Sequence, residues 1–431
     1  FLFVAHRKEI LQQSMISYRG ILRDNNFGDL WVDGLVPESY KHVFASVQTL
    51  NNQIAELDLS SDYYDFIVID EVHHIAANSY RPILSKFDPE ILLGLTATPE
   101  RNDQADILED FNRRIAAEIR LPEALNRKLL CPFQYFGVTD NIDISKVSWR
   151  AGKYVAQELT KVYTENDRRV GDIINALEKY LTDHRQAKSI GFCVSKDHAR
   201  YMAEKFVLAG LKADYLVSNG VSREGRELKQ SRLRSGEINY LFVVDIFNEG
   251  VDIPEIDTVL FLRPTESLTV FLQQLGRGLR LSEGKECLTV LDFVGNSRSE
   301  YDYESKFRAL VGKTNTSVQR EVENDFPHLP LGCSIVLERK VKDYVISNIK
   351  NATNFSSRRL IFLLQNFKYQ TDLLLTLSNF SELYAVPIQI IYKRGGWSNL
   401  KFQAQLIEAY DQSSEKSIVS GISKKWLSSS S

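Results

Sequence analysis

"DFIVIDEVHHIAANSY", residues 65–80, is the stretch on which the reading of this chain turns. Its apolar run stops at two carboxylates, Asp70 and Glu71, followed by the adjacent histidines His73 and His74. A short apolar run bounded by polar residues marks a buried strand. Acids at the end of such a strand are placed to hold a metal ion and a water. A solvated acidic turn after the strand is the plainer alternative. Zinc is disfavoured, because adjacent histidines point different ways and no third or fourth ligand lies near them.

The same pattern extends outward from this stretch. Strand-like runs at 1–5, 43–47, 66–70 and 92–96 alternate with amphipathic segments, which predicts a parallel sheet covered on both faces. Residues 122–187 break the rhythm with an irregular crossover and then a long helical segment from about 155 to 184. Strand-like runs resume at 188–195, 213–218, 239–245, 258–264 and 288–294. Between the first two, Ser195 reads as an N-cap and Gly210 as a helix stop. The expected fold is α/β, with a sheet domain over 1–121 and a crossover with an added helical element over 122–187. A second sheet domain would follow at 188–300, then a smaller mixed accessory region at 301–431 that ends in "SSSS". Phe1 falls inside a strand-like run, so the first domain is expected to be truncated at its N-terminus.

Composition narrows the class. Apolar residues at 43% and charged residues at 25% fit a soluble globular protein. With a net charge of −3, any nucleic-acid contact must come from local patches. The four cysteines, Cys131, Cys193, Cys287 and Cys333, lie far apart, which fits a reducing, cytoplasmic setting. No apolar run approaches a membrane span and no signal peptide is visible, so no membrane partner is expected.

Three further stretches carry chemistry: "TATP" (96–99), "DIFNEGVDIP" (245–254) and "QQLGRGLR" (273–280). The last has the spacing Gln273-x-x-Gly276-Arg277-x-x-Arg280. On a helix, Arg277 and Arg280 would share a face and point at one anion. Glycine inside a helix costs about 1 kcal/mol relative to alanine, so Gly276 and Gly278 want a reason. In this order and spacing, with "DEVH" (70–73), the motifs resemble superfamily 2 helicases of the DEAD/DEAH-box kind over roughly residues 1–300. "GLTATPER", "FNEGVDIP" and "FLQQLGRGLR" are closest to bacterial helicases related to type III restriction motor subunits. Several of these carry a further C-terminal domain of unknown function, which residues 330–431 could begin.

The resemblance implies two RecA-like parallel-sheet domains with ATP between them. Asp70 would hold Mg²⁺ through water and Glu71 would deprotonate the attacking water. Arg277 and Arg280 would be arginine fingers on the γ-phosphate. His73 would hydrogen-bond across the cleft to Gln273 and link nucleotide state to domain closure, and Thr96 and Thr98 would couple the nucleotide site to the strand-binding groove. Gly250 and Asp252 would lie against the nucleotide. Arg7 in "AHRKE" and Thr49 in "SVQTL" would touch nucleic-acid phosphates. Each has a structural alternative: a tight turn explains Gly250 and Pro254, and a cap before Pro99 explains the two threonines. The basic stretch "VSREGRELKQSRLR" (221–234) reads equally as a strand track and as a solvated helix face. The expected function is an ATP-dependent helicase or translocase on nucleic acid, most readily DNA. The alternatives are a degenerate, non-catalytic clamp and the motor subunit of a restriction or defence nuclease system.

The resemblance places the phosphate-cradling GxxxxGK[ST] loop upstream of "VAHRKE", so it is expected to be missing from this chain, which would then hydrolyse ATP poorly. "FRALVGKT" (307–314) imitates it but has Phe307 where the first glycine belongs and follows the arginine motif. "IVLERK" (335–340) imitates half of a nuclease centre with Glu338 and Lys340, and a strand running into a helix explains it equally well.

Overall fold

Continuous apolar runs make the first sheet. Its strands are β1 (Leu2–Ala5), β2 (Asp29–Trp31), β3 (Val43–Ser46), β4 (Phe66–Ile69) and β5 (Ile91–Gly94). They pair in parallel in the order β2-β3-β1-β4-β5. Alternate residues feed opposite faces, as the two-residue period of a strand requires. Leu2, Val4, Ile67 and Ile69 join one core, while Phe3, Ala5, Phe44 and Val68 join the other. All four positions of β1 and of β3 are buried, whereas Ile91 of the edge strand β5 is exposed. The three-residue β2 is too short to show a period and was not foreseen.

The computed structural model describes residues 1–72, 80–96, 110–112, 114–150, 152–217, 223–244, 253–265, 267–296, 301–350, 355–408 and 414–422. It divides into two units, Phe1–Glu118 and Ile119–Ser431.

The second unit holds a seven-stranded parallel sheet and a small hairpin. The strands are β6 (Phe133–Asp143), β7 (Trp149–Arg150), β8 (Lys153–Tyr154), β9 (Ser189–Phe192), β10 (Ala213–Leu216), β11 (Tyr240–Val243), β12 (Thr258–Phe261), β13 (Leu288–Asn296) and β14 (Ser334–Leu337). The large sheet runs β10-β11-β9-β12-β13-β6-β14, and β7 pairs with β8 antiparallel. β6 lies in the stretch that reads as irregular crossover. It hides in the sequence because buried Phe133 and Tyr135 alternate with Gln134 and Phe136, and because Gly137 interrupts the run. That glycine is needed: a Cβ there would overlap Leu337 and approach Val341 Cγ1 to 3.1 Å. The single long helix expected from 155 to 184 is two, Ala156–Thr164 and Asp167–Tyr180. Asn166 separates them by accepting the Arg169 N–H at 3.3 Å, the duty for which asparagine is favoured. Helix Lys196–Leu208 has the caps the sequence announces. Ser195 accepts the His198 N–H at 3.2 Å, and Gly210 takes φ +80°.

The core does not stop near residue 300. Helices Tyr303–Val311, Val318–Glu323 and Arg339–Lys350 share apolar contacts with the large sheet through Phe307, Val322 and Val345. Helices Ser357–Gln370, Leu377–Tyr384, Ile388–Lys393 and Trp397–Gln403 enclose a separate small core around Leu364, Phe380 and Leu400.

Candidate functional site

The acidic pair sits at the carboxyl end of β4, the edge where ligands gather in open α/β sheets. The Asp70 N–H still donates to Val4 O at 2.9 Å, as a last rung of the ladder. Glu71 then takes φ 48°, a left-handed conformation that side chains other than glycine enter at a cost of about 1–3 kcal/mol. Two backbone bonds hold it there: Leu95 N–H to Ile69 O at 2.8 Å and Val72 N–H to Leu95 O at 2.9 Å. Val72 is buried beyond the turn, so pairing with the end of β5 resumes one residue late, past the carboxylates. Both carboxylate residues are half-buried, and Thr96 directly follows Leu95.

β1 delivers His6 and Arg7 to the same edge. His6 meets buried Tyr80 edge-on at 5.2 Å between ring centroids, and the Tyr80 hydroxyl donates to Asp70 O at 3.4 Å. This link between two strand ends was passed over in the sequence in favour of Arg7. The signal for His6 was its place directly after an apolar run. Arg7 is the N-cap residue of helix Lys8–Leu22, in extended backbone and without a side-chain cap bond. From β3, Ser46 Oγ accepts the Thr49 N–H at 3.0 Å and donates to Thr49 Oγ1 at 2.8 Å. Arg7, Thr49, Asp70, Glu71 and Thr96 are thus collected along one edge of one sheet. His73 and Thr98 lie outside the described residues, as do Gly250 and Asp252.

In the second unit, helix Leu268–Gly278 is capped by Ser267, whose Oγ accepts the Val270 N–H at 3.4 Å. Phe271 and Leu275 anchor it, Gln274 is buried, and Gln273 is half-buried. Arg277 occupies the last turn. Arg280 lies beyond the C-cap Leu279, so the shared helical face expected for the two arginines does not form. The cause is downstream: the Lys285 ammonium donates to the carbonyls of Gly278, Arg280 and Pro254 and replaces a further helical turn. Packing gives a reason for Gly278 and none for Gly276. A Cβ at Gly278 would overlap Leu288 and come within 3.1 Å of Val259 Cγ2, whereas one at Gly276 meets nothing within 4 Å.

Lys229 and Arg232 of the basic stretch are paired within their own unit. Lys229 Nζ donates to Asp214 at 2.8 Å, Arg232 to Asp214 at 2.9 Å and to Glu237 at 2.6 Å.

Both imitation motifs have structural work. Gly312 closes helix Tyr303–Val311 at φ 81°, Lys313 pairs with Asp372, and the Thr314 N–H donates to Gln370 O at 3.0 Å. Glu338 accepts from the Thr139 N–H at 2.9 Å, Lys179 at 3.0 Å and the Tyr180 hydroxyl at 2.9 Å, while Lys340 is exposed. Burial disfavours the Glu338 carboxylate, but those donors outweigh it and hold the group at about 2. Its folded value is depressed, so its stabilisation is present above the unfolded carboxyl range near 4.3 and is lost as pH falls towards 2. Glu338→Gln is therefore expected to lower stability at pH 7 by about 1–2 kcal/mol, allowing for screening of the exposed Lys179. In thermal melts that difference should shrink between about pH 4.5 and 2. A deficit that does not change with pH would mean packing, not charge, holds this junction.

Among the described residues no helix is long and apolar enough to cross a membrane. Residues 1–101 match the family described as type III restriction enzyme, res subunit, and residues 172–282 match the helicase conserved C-terminal domain. A Saccharomyces cerevisiae protein provisionally named ATP-dependent helicase IRC3 is 31% identical over 307 residues, covering 69% of this chain and 43% of its own length. The Escherichia coli type I restriction enzyme EcoAI endonuclease subunit is 24% identical, covering 64% of this chain and 37% of its own. The chain spans about half the length of the curated relatives it matches. Among solved structures, a fragment of a provisionally assigned HsdR subunit of a type I restriction enzyme from Vibrio vulnificus has a TM-score of 0.53 at 22% identity. It covers 78% of this chain and 57% of its own, a likeness of fold.

Proposed function

Because the chain belongs to the superfamily 2 helicases related to restriction motor subunits, we propose that the protein hydrolyses ATP to move along a DNA strand. The observation that carries the reading is the turn at β4, which fixes Asp70 and Glu71 at the carboxyl edge of the sheet beside Thr96. Two adjacent half-buried carboxylates suit Mg²⁺, which takes one or two carboxylates and fills its shell with water and phosphate oxygens. When bound, that ion supplies charge neutralisation at the β- and γ-phosphates. Asp70 would hold the ion through water. Glu71 orients the attacking water and accepts its proton, while Arg277 and Arg280 offset charge on the γ-phosphate. Thr96, Thr98, His73 and Gln273 couple the nucleotide to the strand, Gly250 and Asp252 contact the nucleotide, and Arg7 and Thr49 contact strand phosphates. The likeness to restriction subunits supports a motor that works beside a nuclease in a defence system.

The test is ATP hydrolysis by residues 1–431, with and without DNA, beside Glu71→Gln. No GxxxxGK[ST] stretch occurs in these residues, so slow turnover with salt-sensitive DNA binding is expected. Glu71→Gln should reduce the remaining hydrolysis by about 10²- to 10⁴-fold, the usual worth of a general base. Turnover indifferent to that change would remove Glu71 from the reaction.

A further inference from the structure

A cleft of about 410 Å³ opens at the carboxyl ends of β1, β2 and β3, lined among others by Trp31, Leu35, Val36, Thr49 and Asn52. Neither Asp70, Glu71 nor Thr96 lines it, so it is distinct from the proposed hydrolysis site. Trp31, 1% exposed, has its indole N–H buried without an acceptor. A buried donor left unmade costs about 1–3 kcal/mol, so the position favours any ligand that brings an acceptor. Leu35 and Val36, 45% and 65% exposed, add apolar surface that a bare phosphate does not use. Asn52 and Gln53 add amides that both donate and accept.

We propose that this cleft takes one unstacked nucleobase of the bound strand, whose ring carbonyl accepts the Trp31 N–H while its face lies on Leu35 and Val36. The proposal rests on the strand-tracking reading above and adds to it, since phosphate contacts at Arg7 and Thr49 are blind to the base. Its volume lies at the lower end of the roughly 300–1,000 Å³ of small-molecule sites, room for one nucleoside. Thr49 connects the two functions: it lines the cleft and lies among the proposed phosphate contacts.

The experiment measures binding of residues 1–431 to a thymidine oligonucleotide and to an abasic strand of the same length, by fluorescence anisotropy at one salt concentration. The thymidine strand is expected to bind about 5-fold or more tightly, the worth of one hydrogen bond. Trp31→Phe and Val36→Ser should each lose most of that preference and keep their affinity for the abasic strand. Position 36 is exposed, so the second variant carries the comparison if the first does not fold. Equal binding of the two strands by the unaltered protein overturns the base site and leaves strand tracking standing. No salt-sensitive binding of either strand overturns both. Thymidine monophosphate that competes as well as the oligonucleotide shows a site for free nucleotides and overturns the assignment to the strand.

Discussion

Arg169→Met is expected to lower the unfolding free energy by about 3–5 kcal/mol, read from urea denaturation, because it strands a carboxylate in the interior. The Arg169 and Asp140 side chains are each 3% exposed, and Nε donates to Oδ2 at 2.9 Å. Nη2 donates to Leu262 O at 2.9 Å, and the guanidinium stands 3.8 Å from the Tyr163 ring centroid. One side chain thus joins helix Asp167–Tyr180 to β6, to the chain just past β12 and to the preceding helix. Burial, reinforced by the positive charges of Arg169 and Arg263, pushes the neighbouring His198 imidazole well below its usual range, so it stays neutral. Pairing Arg169→Met with Asp140→Leu should recover most of the loss, since an apolar pair often replaces a buried ion pair at little cost. About 1 kcal/mol should remain, because Asp140 Oδ1 also accepts the Ile142 N–H at 3.1 Å. A single-variant loss below about 1 kcal/mol would show that water reaches Asp140.

Arg277→Ala is expected to cut the remaining ATP turnover by about 10³-fold or more, measured in single-turnover hydrolysis. Arg277 lies in the last turn of a helix pinned by buried Phe271 and Leu275, so the backbone that carries it is fixed. Gly276→Ala separates chemistry from folding at the same helix end. Its Cβ enters open space, and alanine is favoured over glycine in a helix by about 1 kcal/mol, so the melting temperature should hold or rise. A fall in turnover with stability intact would mark a close approach of the nucleotide at Gly276. Unchanged turnover would mean the glycine has no ligand to admit.

Where a strand is buried on both faces its sequence is continuous and apolar, which is why "LFVA", "VFAS" and "FIVI" were legible. β6 was not, because its burial alternates along the strand and Gly137 answers to Leu337, about two hundred residues away. The edge position of Asp70, Glu71 and Thr96 followed from where their apolar runs end. The left-handed Glu71 did not, since it depends on a bond from Val72 to Leu95. The helix end before Arg280 was equally hidden, being set by Lys285. The cleft stayed invisible because Trp31 belongs to a strand of three residues.

The fit of Gly278 against Leu288 has an evolutionary consequence. A Cβ at 278 would stand 2.8 Å from Leu288 Cδ2 as well as crowding its sister methyl. Selection therefore sees the two positions as one volume: a relative that carries alanine at the first should carry a smaller residue at the second. A larger residue at position 278 alone would crowd the arginine-bearing helix against its sheet, and a smaller one at 288 alone would leave a void beneath it. The ancestry of the motif is in this respect inseparable from that of an unremarked leucine in β13.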